Sequence, residues 1–397
     1  MGRQLYCRPA SPSTGVAVQL PPQREVTVQL PPQREDLSPS RNAATMQLSL
    51  RTISLPLRHV FRTAHGAAAV QENLLVELRE DGQCGYGEGA SPPYYGVTPE
   101  MMRRSLEAAR GAIESQRLDD PATLWERLAP SLMHNRFALA ALDEAAHDLW
   151  GKKLGQPVYK LWRLDRSAAV PAAWGGQDAR TPVLPVSNYT IGLDTIEKMT
   201  AKMAEYADWP IFKIKLGTAD DLRIVRELRR HTSAVFRVDA NCAWTAAEAI
   251  VNARELKGLG VEFIEQPLAA DDWAGMRRVF SQSALPLIAD ESCQTEDDVE
   301  RCREAFHGIN IKLSKCGGMT PARRMIDRAR GLGMKVMMGC MAESTVGISA
   351  IAQFLPLLDY VDMDGAELIA QDVATGVRLD RGRPVFPAEN GNGVRLL

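Results

Sequence analysis

Apolar and polar positions change rhythm twice along this chain. From Met46, MQLSLRTISLPLRHVF and ENLLVELREDGQCGYGE alternate with a period of two, predicting antiparallel strands with EDGQ as a turn. TPEMMRRSLEAARGAIESQ then takes a helical period, with Thr98 as cap and Pro99 at the first helical position. DPATLWERLAP and RFALAALDEAAHDLWGKKLG predict two further helices, the last closed by Gly155. This first unit is α+β and spans about 46–165. Beyond about residue 185, short apolar runs alternate with helical stretches: VSNYTIG, IFKIKLG, FRVDAN, EFIEQP, PLIADES, GINIKLSK, KVMMGC and YVDMDG. Their polar ends fall at Thr190, Lys215, Asp239, Glu265, Asp290, Lys312, Gly339 and Asp362, separated by 25, 24, 26, 25, 22, 27 and 23 residues. Eight β units at that even spacing predict a (β/α)8 TIM barrel over about 170–370, with about 371–397 returning to complete the α+β capping domain. A doubly wound open sheet is the alternative; the evenness of the repeats and the lack of a Gly-rich phosphate fingerprint disfavour it.

Residues 1–45 follow neither rhythm. VAVQLPPQRE (Val16–Glu25) is repeated at once as VTVQLPPQRE (Val26–Glu35). Proline pairs and charges interrupt any strand or helix there, and no apolar core of a signal peptide is present. A disordered leader upstream of a start at Met46 is expected.

In a TIM barrel the chemistry sits at the C-terminal strand ends. In IFKIKLG, Lys213 and Lys215 are two apart and so leave one face of the strand. Each ammonium disfavours the other's charge unless anions surround them. The next three strand ends supply Asp239, Glu265 and Asp290. Three converging carboxylates repel one another, and a hard divalent cation resolves that repulsion. An all-oxygen set suits Mg²⁺. Lys312, on the sixth strand end, lies across the barrel from Lys215, so two amines flank the predicted metal. A nearby cation and a neighbouring ammonium both lower a lysine pKa, which would make one of them a usable base. Lys315 is expected in the following loop. Asp362 and Asp364 on the eighth strand share a face and read as a clamp for a substrate ammonium.

Composition narrows the partners. The chain has 397 residues, 45% hydrophobic and 24% charged, with a formal net charge of −2. That balance carries no footprint for nucleic acid or an acidic membrane, and no apolar run reaches the roughly 18 residues of a membrane span. Seven scattered cysteines and six unclustered histidines point away from zinc or disulfides and toward a reducing, cytoplasmic setting. The expected partner is a small molecule, and the oligomeric state is left open.

KIK, VDAN, IEQP, ADES and IKLSKCGG, in this order and spacing, resemble the muconate-lactonising subgroup of the enolase superfamily, over about residues 46–397. The resemblance implies Mg²⁺ on Asp239, Glu265 and Asp290, and removal of the proton α to a carboxylate. A metal with a lysine base is typical of that superfamily. D-x-D at Asp362 and Asp364, with MMGCMAES (Met337–Ser344), is similar to the dipeptide epimerases. That implies a 1,1-proton transfer between Lys215 and Lys312, with Lys213 as electrostatic support and Thr190 near the substrate. In Ala-Glu epimerases a capping stretch like FKTALR carries an Arg for the side-chain carboxylate. This chain reads FRTAHG, with Gly66 at that place, and Arg62 and His65 as candidate substitutes. Another dipeptide than Ala-Glu is therefore expected, with the loops Arg62–Ala67 and Ser91–Gly96 setting the choice. Competing readings are an o-succinylbenzoate synthase, N-succinylamino acid racemase or muconate cycloisomerase-like activity on the same scaffold, a Schiff-base aldolase, and a barrel that only binds a ligand.

Overall fold

The computed structural model describes residues 46–64, 66–164 and 184–397; the predicted leader and His65 lie outside the described residues. The alternating segments form a three-stranded antiparallel sheet, β1 (Gln47–Thr63), β2 (Gly66–Glu80) and β3 (Gln83–Gly89). β1 and β2 pair from Gln47–Arg79 to Thr63–Gly66, with a register shift between Pro56 and Phe61. Within the stretch expected as a loop, Arg62 pairs with Ala67 and Thr63 with Gly66, so these four residues continue the strands. The EDGQ turn is made by Asp81 and Gly82, at φ 52° and 77°, the left-handed pair that matches strand twist.

Helices α1 (Pro99–Glu114), α2 (Pro121–Leu132) and α3 (Arg136–Lys153) follow. Thr98 caps α1 by accepting from the Met101 amide at 3.2 Å. α3 is buried almost all round because β3 approaches it backbone to backbone. A Cβ on Gly87 would lie 2.0 Å from the Ala141 carbonyl oxygen. The C-terminal stretch returns to α3: the Asn392 amide donates to Asp148 Oδ1 at 2.8 Å, and Val158 N to the Gly391 carbonyl at 2.9 Å.

Eight parallel strands form the barrel in chain order: β4 (Tyr189–Ile191), β5 (Ile211–Lys215), β6 (Val235–Asp239), β7 (Val261–Glu265), β8 (Leu287–Ala289), β9 (Gly308–Ile311), β10 (Lys335–Gly339) and β11 (Tyr360–Asp362). Each sequential pair is hydrogen-bonded, and the turn from β11 back to β4 is closed by a single bridge, Ser187–Val361. The main apolar core lies between strands and outer helices, while Phe263, Ile288 and Met337 form a separate cluster with Tyr360 against it. Arg237 stands over the Phe263 and Tyr360 rings at 5.4 and 5.2 Å and donates to Glu262 at 2.8 Å. Among the described residues no helix is long and apolar enough to cross a membrane.

Candidate active site

Register brings the charged strand ends side by side. Lys215 pairs with Asp239 across β5–β6, and Asp239 with Glu265 across β6–β7. Asp290 follows β8 by one residue and Lys312 follows β9 by one. Asp239, Glu265 and Asp290 are 0–1% exposed, and each offers an oxygen within 4.8 Å of the others'.

The lysines hold these acids from two sides. Lys213 Nζ lies 2.7 Å from Asp362 Oδ2, 2.8 Å from Glu265 Oε2 and 3.2 Å from Asp239 Oδ2. Lys215 Nζ donates to Asp239 Oδ2 and Lys312 Nζ to Asp290 Oδ2, each at 2.7 Å. Strands β5 and β9 are four apart in a ring of eight, so the two amines approach from opposite walls. Glu265 Oε2 accepts no hydrogen bond of acceptable geometry, although Lys213 Nζ is close enough to pair with it in charge.

Burial opposes every charge here, and the balance differs by residue. Burial raises the Glu265 carboxyl, and Lys213 only partly offsets it, leaving it near neutrality at about 7. Burial likewise disfavours ionised Asp290, but Lys312, Lys315 and Lys213 hold it well below the usual carboxylate range. Lys213 and Lys312 also lose hydration, yet the surrounding carboxylates raise both above the ordinary lysine value. That direction is opposite to the lowering expected beside a cation: the protein's own groups around these amines are anionic.

Asp362 and Asp364 differ despite their shared face. Asp362 accepts from Lys213 and, at 2.7 Å, from Asn188 Nδ2; against the cost of burial, Lys213 holds it low. Asp364 accepts from the Thr190 amide at 2.5 Å, and no cationic side chain among the described residues pairs with it. Burial and the Asp362 charge push it well up. The arrangement favours arrival of a cation at Asp364.

These groups open into a cavity of about 360 Å³. Lys213, Lys215, Lys312, Asp290, Asp362, Asp364 and Thr190 line its floor, and Gly66, Ala67, Ala68, Gln71 and Pro92–Tyr95 bring the capping strands and loop over it. Arg62 does not enter it; Nη1 pairs with Asp194 Oδ2 at 3.1 Å. At Gly66 a Cβ would meet nothing within 4 Å, and no arginine among the described residues lines the cavity.

Several residues at the site had no role in the sequence reading. Lys315 is not in a loop: it sits in the short helix Leu313–Cys316, 1% exposed, with Nζ on Asp290 Oδ1 at 2.5 Å. The helical i, i+3 spacing from Lys312 was the available signal. Asn310 donates to Glu265 Oε1 at 2.9 Å. Behind the cavity wall, buried Glu88, Glu144 and Glu343 join β3, α3 and the loop after β10. Glu88 accepts from Asn73 Nδ2 at 2.7 Å and from the Ser344 amide at 3.1 Å. Burial and the Glu88 charge raise Glu343 to about 8.

Comparison with known proteins places this geometry. Residues 46–162 match the family described as "Mandelate racemase / muconate lactonizing enzyme, N-terminal domain", and residues 195–397 match "Enolase C-terminal domain-like". A relative from Maribacter sp., named L-Ala-D/L-amino acid epimerase, is 52% identical over 88% of this chain and 99% of its own length. One of the same name from Flavobacterium johnsoniae is 50% identical over 89% of this chain and 100% of its own. A dipeptide epimerase from Methylococcus capsulatus, solved with Mg and L-Arg-D-Lys, superposes with a TM-score of 0.78 at 31% identity, covering 88% of this chain and 99% of that one.

Proposed function

The chain belongs to the mandelate racemase and muconate lactonizing enzyme family, and on that premise we propose that this isomerase inverts the α-carbon of the C-terminal residue of a dipeptide. The observation that carries the reading is one buried cluster of three carboxylates met from opposite walls by Lys215 and Lys312. The names of the relatives, and the dipeptide and Mg in the Methylococcus structure, support it.

Asp239, Glu265 and Asp290 fit a divalent cation: all donors are oxygen, their ligand atoms lie within 4.8 Å of one another, and Glu265 Oε2 has no well-formed hydrogen bond. When bound, Mg²⁺ supplies Lewis-acid stabilisation for the charge that gathers on the substrate carboxylate as the α-proton leaves. Lys215 and Lys312 exchange roles as base and acid according to the configuration of the substrate. One takes the proton from its face and the other returns one to the opposite face. Lys213, fixed among three carboxylates, adds positive charge beneath the reacting carboxylate. Asp362 and Asp364 receive the free α-ammonium of the first residue, and Asp364 is the one with no cationic side chain paired to it among the described residues. With no arginine among the described residues lining the cavity, a side-chain carboxylate on the second residue meets no guanidinium there, so an uncharged second residue is favoured over Glu.

The test is incubation of L-Ala-L-Xaa dipeptides in D₂O with Mg²⁺, followed by proton NMR and mass spectrometry. The reading expects a one-unit mass gain together with the L,D diastereomer, both lost on chelation and restored by Mg²⁺. Loss of water from a hydroxycyclohexadiene carboxylate, or racemisation of an N-succinylamino acid, with dipeptides inert, would favour the chemistry of related family members instead.

A further inference from the structure

Each carboxylate of the cluster is divided in use. Asp239 Oδ1 accepts from the Asn241 amide at 3.0 Å while Oδ2 faces Lys213 and Lys215. Glu265 Oε1 accepts from Asn310 at 2.9 Å while Oε2 faces Lys213. Asp290 Oδ1 takes Lys315 at 2.5 Å while Oδ2 faces Lys312. One oxygen of each acid is held by the scaffold and the other is presented to the shared centre.

The third anchor differs from the first two because it is a full charge. Lys315 Nζ reaches the Asp290 carbonyl at 2.6 Å, the Cys293 carbonyl at 2.9 Å and the Asn310 carbonyl at 3.2 Å, besides Asp290 Oδ1. Four acceptors exhaust three N–H bonds, so the ammonium cannot swing away. It lines no part of the cavity and its backbone carbonyl is held by Arg136 Nε of α3 at 2.7 Å. We propose that Lys315 is a positioning residue for the divalent cation: it locks Asp290 on Oδ1, so that this acid presents Oδ2 alone, and it ties the end of β8 to the end of β9. The inference rests on the divalent-cation reading above. Removing a hydrogen-bond partner of a metal ligand typically costs about 10–100-fold in metal affinity or activity.

The experiment measures Mn²⁺ binding to the full-length protein by EPR, for wild type, Lys315→Met and Lys315→Gln, with circular dichroism to establish folding. Lys315→Gln, shorter but with two N–H donors, serves where the methionine variant does not fold. Folded variants are expected to bind Mn²⁺ about 10–100-fold more weakly. Half-saturating Mg²⁺ for turnover should rise in step, with the dipeptide KM at saturating Mg²⁺ within about twofold of wild type. The glutamine variant should recover part of the loss. Wild-type Mn²⁺ affinity in a folded variant overturns the role of Lys315 and leaves the epimerase reading standing. Failure of the wild type itself to bind Mn²⁺ removes the cation reading and this inference with it.

Discussion

Lys312→Ala separates a two-base reaction from every mechanism that needs one. The residue is 9% exposed and its ammonium is spent on Asp290 Oδ2. No neighbour can replace it: Lys315 is saturated by four acceptors, Lys213 is set among three carboxylates, and Lys215 stands on the opposite wall against Asp239. Asp290 keeps Lys315, so the variant retains a compensated carboxylate and is expected to fold. A positioned acid or base contributes about 10²–10⁴ in rate, or about 3–5 kcal/mol at ~1.36 kcal/mol per tenfold. Epimerisation, followed by NMR from either pure diastereomer, should fall by that factor. Exchange of the α-proton with D₂O should persist for one diastereomer alone, with retention, through Lys215. Lys215→Ala should show the mirror pattern. Undiminished inversion in either variant refutes the two-wall assignment.

Asp364→Asn should raise the dipeptide KM by about 10–100-fold, the scale of a lost charge-assisted hydrogen bond, while N-acetylated dipeptides remain poor substrates for both proteins; an unchanged KM would detach this residue from the ammonium. Gly87→Ala drives a Cβ to 2.0 Å from the Ala141 carbonyl and 2.6 Å from the Ala145 amide nitrogen; calorimetry should show a loss of at least about 1–3 kcal/mol, and a wild-type Tm would mean that β3 and α3 are not so close. Glu343 titrates near 8 when folded against 4.5 for the free side chain. Between those values the native state binds the extra proton, so stability from this group is full below pH 4.5 and is lost as pH rises toward 8. Glu343→Gln should therefore gain Tm relative to wild type on going from pH 5.5 to pH 8, and a pH-independent difference would contradict the burial argument.

What could be read from the chain was whatever repeats along it. The barrel was legible because eight polar strand ends recur at near-equal spacing, and the convergence of Asp239, Glu265 and Asp290 follows from parallel register alone. Period-two logic, applied to Lys213 and Lys215, would also have placed Asn188 beneath Thr190, Arg237 beneath Asp239 and Asn310 beneath Lys312. Those residues were passed over because amides and a guanidinium in apolar runs carry no chemistry by themselves. Lys315 sits in a one-turn helix that follows Lys312 directly, and the i, i+3 spacing of the two lysines is the one local sign of it, since four residues carry no apolar period. Arg62 drew attention as a charge near a missing arginine, yet Asp194, more than a hundred positions away in sequence, claims it. The Glu88, Glu144 and Glu343 cluster joins three segments whose proximity no local pattern encodes.

The single bridge between Ser187 and Val361 makes the wall between β11 and β4 the least laced part of the cylinder. Side chains do the stitching there: Ser187 Oγ accepts from Met363 N at 3.0 Å, Asn188 grips Asp362, and Asp364 takes the Thr190 amide. The two acids assigned to the incoming ammonium are thus also the sutures of the ring. On the proposed assignment, an ammonium bound there would tighten the same wall, and slowed hydrogen exchange at the Thr190 amide on adding dipeptide would be its local signature.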